Sequence, residues 1–577
     1  MKKNTLQKVL ATALCATMVA GCFAGCGDDA TSTASSTAST ETSTSVENNI
    51  PSVEEVVLDE SVVTGMDGWS AFENTVTLQI PVYDRGGEVD VTNNYWTQWV
   101  QSAFGDTYNI NVEYVAIPRG DVLNAYAQLG NAGTLPTILM EYDFDKQAQW
   151  ADDGYLQEVD LEQFATVAPT YYQMMIDNNN LNNTALNGTT YFVLAERPFY
   201  NNTYNYVTFY RADWLEELGL SYPKTYAESL EVYQALVDGG YCEYPLGGSK
   251  VTGAGVDQNY AYREYPQDEL EWATTGGYAI PALSTAATKK LIERQNELYN
   301  LGYINPDFIT REATDNEADF VAGNMFTYSC YIAPSIQVLT DFYAQNPDAK
   351  LAIAYTDGLV VDDEGVSNAY RPNNPFGMMI SFSSLASDDE VLAAEMYLEW
   401  LIQDENLFYM QYGEEGITFQ YVDGLATRIT ENIPDEYAMA NNNKDYYCAV
   451  IESYKIDNIE DNIKANCPAG YPDSDDFYDQ ILANYNGMVA LADSGYIQSD
   501  CMFAVAISAV TDNQASLLSL YEEYREKLTI CDPSEFDALY EEYSQAYLDN
   551  GYQAIIDERA EAYNNGMTTH LPDGAKK

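Results

Sequence analysis

One histidine, His570, is all that the 577 residues hold, and it sits near the C-terminus. A Ser-His-Asp or Cys-His nucleophile system, or a multi-histidine zinc site, would have to be built around that single ring, so none is expected. Cations are scarce as well: Lys+Arg 26 against Asp+Glu 89 leaves a net charge of -63. That balance excludes binding nucleic-acid phosphates by bulk electrostatics, which needs clustered cations. It also repels an anionic membrane surface, so any membrane attachment has to be hydrophobic or covalent. Among Cys242, Cys330, Cys448, Cys467, Cys501 and Cys531 no two have C-x-x-C spacing, which removes zinc-ribbon and thioredoxin-type motifs and leaves disulfide pairing open. The apolar run Val9 to Ala20 is too short to remain as a membrane-spanning helix. Asp177-Asn178-Asn179-Asn180-Leu181-Asn182 opens like a calcium loop, yet Leu181 stands where an oxygen is needed and Asn182 where the tight turn wants glycine. No metal and no cofactor are expected. With 89 acidic residues, some pair of carboxylates can always be found, so a glycosidase pair carries no signal here.

What the chain has in quantity is aromatic surface, 49 tyrosines among 13% aromatics, with 46% hydrophobic residues, enough for two or three cores. A tyrosine buries its ring while its hydroxyl stays hydrogen-bonded, and the ring can lie flat on the apolar face of a sugar. The most informative stretch is Asn109 to Asp160. Ile110, Val112, Tyr114 and Ala116 alternate with Asn111, Glu113 and Val115, the period of a strand. Asp121 is positioned to cap a helix carrying Val122, Tyr126 and Leu129, Gly130 to end it, and Thr137 to Met140 to form the next strand. Such a βαβ unit gathers ligands at the carboxyl ends of its strands, which puts Ile117 to Arg119 and Glu141 to Asp145 on the rim of a cleft. Upstream, Val76, Leu78, Ile80 and Val82 alternate as a first strand that exits through Tyr83-Asp84-Arg85-Gly86-Gly87. Trp96, Trp99, Val100 and Ala103 form a helical core stripe, with Trp96 in the first turn the better ligand candidate.

Lys2, Lys3 and Lys8 before the short apolar run make an export signal. Val19-Ala20-Gly21-Cys22 and Phe23-Ala24-Gly25-Cys26 both resemble the bacterial lipobox, in which the cysteine receives diacylglycerol; Cys22 is the expected lipidation site and Cys26 the alternative. From Asp28 to about Pro51 the chain is Ser, Thr, Ala, Asp and Glu with little to bury, a disordered tether.

The wording NAGTLPTILMEYD followed by WADDGYLQEVD resembles two segments of the extracellular solute-binding proteins of ABC-type sugar importers, with Thr137 where that family usually has aspartate. Tyr210-Arg211-Ala212-Asp213-Trp214-Leu215-Glu216-Glu217-Leu218-Gly219-Leu220, with Pro223-Lys224-Thr225 after it, is similar to the family's most specific signature. By its own physics Asp213 can cap this helix and Gly219 end it. Leu298 to Phe308, Phe320 to Met325 around Gly323, and the tail Tyr540, Tyr543, Tyr547, Gly551, Tyr552, Ile555 and Ile556 resemble further family segments, so the likeness runs from about Val76 onward.

The resemblance implies an α/β, two-lobed, type II periplasmic-binding-protein-like fold with a hinge and extra C-terminal helices. The implied organisation is a signal over 1–22, a Ser/Thr/acid-rich tether over 23–72, one lobe from 73–200 plus 371–423, and the other from 201–370 plus 424–577. It implies capture of a carbohydrate, an oligosaccharide, without catalysis, and delivery to the permease subunits of an ABC importer by a monomer lipid-anchored to the outer face of the membrane. A sugar offers hydroxyls to acids and guanidinium forks and its C–H face to rings. The cleft candidates are therefore Tyr83, Asp84, Trp96, Arg119, Tyr142, Asp143, Arg197, Tyr200, Trp272, Tyr331, Arg371 and Phe376. Arginine being scarce, Arg119, Arg197 and Arg371 on cleft connectors hint at a ligand with carboxylates.

Overall fold

The computed structural model describes residues 49–570, apart from 87–88, 199–205, 250–268, 277–279, 355–375, 430–431, 438–443, 457 and 495–500. The export signal, both lipobox cysteines, Tyr200 and Arg371 lie outside the described residues. Besides three short two-stranded pairs, the strands are β1 (Val76–Asp84), β2 (Ile110–Pro118), β3 (Ile138–Glu141), β4 (Val193–Glu196), β5 (Tyr206–Arg211), β6 (Thr327–Tyr331), β7 (Leu351–Ile353) and β8 (Phe376–Phe382).

β1 and β2 run parallel, from Val76 opposite Ile110 to Asp84 opposite Pro118. Leu78, Ile80 and Val82 are buried while Thr77 and Gln79 are half-buried, the alternation a one-sided strand requires. Between them α1 (Tyr95–Val100) starts at Asn94, whose side chain accepts from the Trp96 and Thr97 amides. α2 (Val122–Ala132) follows β2 and ends at Gly133, φ +67°, rather than at Gly130. The left-handed C-cap belongs to Gly133, and Gly130 is a close-approach glycine whose Cβ would strike the Tyr155 ring. β3 lies beside β1, where the Gln79 amide donates to Thr137 Oγ1 at 3.1 Å. Thr137, the departure from the family pattern, thus fastens two strands together. α3 (Phe144–Asp152) leaves β3 through the Asp143 cap.

The second lobe centres on β5, antiparallel to β6 on one side and β7 on the other. α5 (Ala212–Leu218) follows β5 once α4 (Pro169–Asp177) has closed the first half of lobe one. Asp213, expected as its cap, instead accepts from Nε and Nη2 of Arg211, at 2.9 and 2.5 Å, because the two side chains, two positions apart, meet in a fork geometry. Gly219 does end this helix, at φ +69°. Next come α6 (Ala286–Asn300) and α7 (Ile332–Gln345).

The chain then returns. β8 inserts antiparallel between β3 and β4, and all seven of its residues are buried, as a strand covered on both faces must be. α8 (Asp388–Ile402) begins with a Ser387–Glu390 capping box, and its Glu399 accepts from the Thr170 and Tyr171 amides at the start of α4. Glu196 at the end of β4 pairs with Phe376 and with Ile451, so three passages of the chain lie side by side where the lobes are joined. Gly377 is needed here because a Cβ would stand 3.1 Å from the Glu196 carbonyl.

Two expected boundaries move. Residues 49–72, assigned to the tether, pack on the first lobe: the Val56 amide donates to the Tyr172 hydroxyl, Trp69 Nε1 to the Val167 carbonyl, and Val56, Leu58, Trp69 and Phe72 lie against the core. These apolar side chains separate the stretch from the Ser/Thr run before it. Tyr446 to Ile451, assigned to the second lobe with 424–577, are part of the first lobe's core. After α9 (Ser474–Ser494), the helices α10 (Ser508–Ile530), α11 (Phe536–Tyr547) and α12 (Gln553–Asn564) share a core with Ile280, Leu283 and Ile292, the bend between the last two falling at Gly551, φ +122°.

Candidate functional site at the strand ends of the first lobe

Parallel in-register pairing brings the carboxyl ends of β1 and β2 to one edge, and β3 and β4 add theirs. The Arg119 guanidinium lies 4.9 Å from the Tyr83 ring centre and 6.0 Å from that of Tyr142. Arg197, just past β4, stands 5.5 Å from the same Tyr142 ring. Tyr142 is therefore flanked by two cations that its ring face attracts. Tyr83 is buried and its hydroxyl reaches the Met140 carbonyl at 3.4 Å. Burial, with Glu141 adding to it, pushes the Tyr83 hydroxyl well above the usual phenol range. Burial, with Glu452 second, does the same to Tyr142.

Glu452 arrives from the third passage. It receives Lys444 at 2.7 Å and lies 3.9 Å from Arg197. Burial alone would raise its pKa, but Arg197 and Lys444 outweigh that and hold the carboxylate below its ordinary value. Arg85 makes a two-pronged pair with Asp445, 2.8 and 3.0 Å. Glu141 accepts from the Tyr142 and Asp143 amides, and Lys146 Nζ stands 3.9 Å from both Glu141 and Asp143. Asp145, in the first turn of α3, meets the wholly buried Arg559 of α12 at 3.2 Å, and burial raises its pKa to about 6 despite that cation. Arg559 also donates to the Thr274 carbonyl.

Of the twelve candidates, Tyr83, Arg119, Tyr142, Asp143 and Arg197 are brought together, and Asp84 ends β1 on the same edge, accepting from the Gly86 amide. Three are packing side chains. Trp96, 0% exposed, is enclosed by Tyr95 and Tyr409, and a Cβ on Gly413 would fall 2.7 Å from its ring. Trp272, 1% exposed, packs with Ala273, Cys501 and Tyr563. Phe376, 0% exposed, starts the central strand β8. Tyr331 is 59% exposed at the end of β6 in the other lobe. Glu141 and Asp145 fall in the rim segment that the sequence marks, while Arg85, Lys146, Lys444, Asp445, Glu452 and Arg559 were not among its candidates. Arg85 stood in the quoted loop and had a signal; Arg85 and Asp445 are 360 positions apart, and nothing local joins them. The six cysteines from Cys242 onward are free thiols.

Two cavities lie away from this edge, one of about 360 Å³ beside Lys289, Asp537, Tyr540 and Glu541, another of about 120 Å³ beside Ile50 to Ser52. Among the described residues no helix is long and apolar enough to cross a membrane, and no cluster of three or more His, Cys, Asp or Glu could hold a metal ion.

Residues 90–365 match the family model of the bacterial extracellular solute-binding proteins. The polygalacturonan/rhamnogalacturonan-binding protein YtcQ of Bacillus subtilis (strain 168) is 23% identical over 248 residues, 41% of this chain. The matched stretch spans 47% of that relative, about half its length. Among solved structures, the S. pneumoniae ABC-transporter substrate binding protein FusA in complex with kestose aligns with a TM-score of 0.58 at 13% identity, over 85% of this chain and 99% of its own. The alginate-binding protein AlgQ2 without calcium ion aligns with a TM-score of 0.56 at 15% identity, over 86% and 99%. An extracellular solute-binding protein from Bifidobacterium longum subsp. infantis gives 0.54 at 14%, over 87% and 100%. The architecture is the two-lobed one of these structures.

Proposed function

We propose that this chain, whose residues 90–365 match the family model of the bacterial extracellular solute-binding proteins, is such a protein, and that it captures an oligosaccharide and delivers it to the permease of an ABC importer. The observation that carries this is the edge where Tyr83 and Tyr142 lie against the Arg119 and Arg197 guanidiniums, rings and forks together in a two-lobed fold whose halves are joined by three adjacent passages. Rings take a sugar's C–H face, and guanidiniums and carboxylates take its hydroxyls. The relatives named for polygalacturonan/rhamnogalacturonan and alginate, and the one solved with kestose, are saccharide binders, which supports the same chemistry here. In this reading the lobes close on the ligand about their junction, with Tyr331 of the second lobe, and Tyr200 and Arg371 beyond the described residues, as further contacts. The chain does no bond-making, acts as a monomer, and is held outside the cell by a lipid on Cys22 or, failing that, Cys26.

A thermal-shift screen against oligosaccharides tests it. A ligand that binds only the folded state at a hundred times its Kd adds about 2.7 kcal/mol and raises the melting temperature. No shift with any saccharide, or release of smaller sugars by the purified chain, overturns it.

A further inference from the structure

We propose that Arg119 is the carboxylate-reading group of this site and that the saccharides taken are uronic-acid oligosaccharides, an inference that rests on the saccharide-binding reading above. Acids outnumber bases 89 to 26 in this chain, so a guanidinium ordinarily finds a carboxylate partner within the molecule. Arg85 has Asp445, Arg197 has Glu452, Arg211 has Asp213, Arg311 has Asp319 and Arg559 has Asp145. Arg428 gives a nitrogen to the Gln411 carbonyl, and Arg294 and Arg525 lie over the Tyr226 and Tyr521 rings. Arg119 has no carboxylate partner: among the described residues its contacts are the two tyrosine rings, and its N–H groups meet no acceptor.

The carboxylates around it are engaged elsewhere. Asp84 accepts from the Gly86 amide, Asp121 from Asn124, and Glu141 from two backbone amides with Lys146 nearby. The neighbourhood as a whole carries a small net charge, Arg85, Arg119, Arg197, Lys146 and Lys444 standing against Asp84, Asp121, Glu141, Asp143, Asp445 and Glu452, in a chain that is strongly acidic as a whole. A local balance of that kind admits an anion that the rest of the surface repels. The two rings, 4.9 and 6.0 Å away, hold the guanidinium at the carboxyl ends of the strands, which lowers the side-chain entropy lost when its fork closes on a planar carboxylate. A sugar ring stacked on tyrosine with its carboxylate on Arg119 uses both features at once.

The test is calorimetric titration of the purified chain with tri- to hexagalacturonate, the same oligomers fully methyl-esterified, alginate oligomers and a neutral oligosaccharide set, for the native protein, Arg119→Gln and Arg119→Lys. The expected result is at least tenfold tighter binding of a free-acid series than of its ester, loss of that discrimination in R119Q, which then binds acid and ester alike, and partial retention in R119K. A melting curve for R119Q that overlays the native one keeps a folding defect from imitating the result. Equal affinity for acid and ester, neutral sugars binding best, or R119Q leaving the acid preference intact overturns the inference and leaves the saccharide-binding reading standing. Binding of no saccharide at all overturns both.

Discussion

Of the arginines that sit against aromatic rings, Arg211 and Arg119, one in each lobe, differ in burial and in whether a carboxylate fills the fork. Arg211 of the second lobe stacks 4.2 Å over Trp214, is largely buried, and fills its fork with Asp213. Arg119 of the first lobe stacks over Tyr83 at 4.9 Å and is half-exposed, with no carboxylate. The saturated pair is a fastening between strand and helix, and the unsaturated one is a group with donors to spare. A matching sequence signature need not mark the functional residue: the Arg-x-Asp-Trp wording, the most specific in the chain, belongs to the structural arginine.

The sharpest way to break this contrast is to remove each cation in turn. Arg211→Leu strands a partly buried carboxylate and is expected to lower the unfolding free energy by about 3 kcal/mol in urea titrations. An effect below about 1 kcal/mol would mean that the pair is no more structural than Arg119. A second test moves to a buried carboxyl group with no cation beside it among the described residues. Glu395 of α8 is held by Gln163 alone, and burial raises its carboxyl to about 8. The folded state therefore keeps a proton that the unfolded chain has lost, so stability is fully present below about pH 4.5, the unfolded value, and declines as pH rises toward 8. Glu395→Gln is expected to flatten that decline and to gain on the order of 2 kcal/mol over the native protein at pH 8. Parallel pH profiles of the two would contradict this. The smallest effect belongs to Arg119→Gln, which should change unfolding free energy by less than about 1 kcal/mol, the value of an exposed cation–ring contact. A larger loss would move Arg119 into the structural class with Arg211.

Much of the scaffold was legible from local pattern. The strand alternation at Val76 to Val82 and at Ile110 to Ala116, and the short apolar strand before Glu141, are legible in the sequence. The helix after β2 was placed but ended three residues early, because Gly130 and Gly133 look alike in sequence and only the left-handed φ at Gly133 separates them. The reading of Asp213 as a cap failed because a neighbouring arginine competed for its oxygens. Half of the strand-end group was legible for a physical reason: Tyr83, Arg119 and Tyr142 immediately follow or end strands, where parallel sheets gather ligands. Glu452, Lys444 and Asp445 were not, since they reach the site along a passage hundreds of residues downstream and no spacing rule connects them. Trp96 and Trp272 were overvalued because a tryptophan's size suits a core as well as a sugar.

The insertion of β8 between β3 and β4 also sets the order in which the molecule can be completed. Gln147 Nε2 bonds the Met379 carbonyl across 232 positions, and until that late strand is synthesised β3 and β4 each keep an open apolar edge. Contacts so distant in the chain make folding slow. A nascent chain that has finished its first 370 residues therefore holds a half-built sheet exposed to other strands, and protection from aggregation is needed most during that interval.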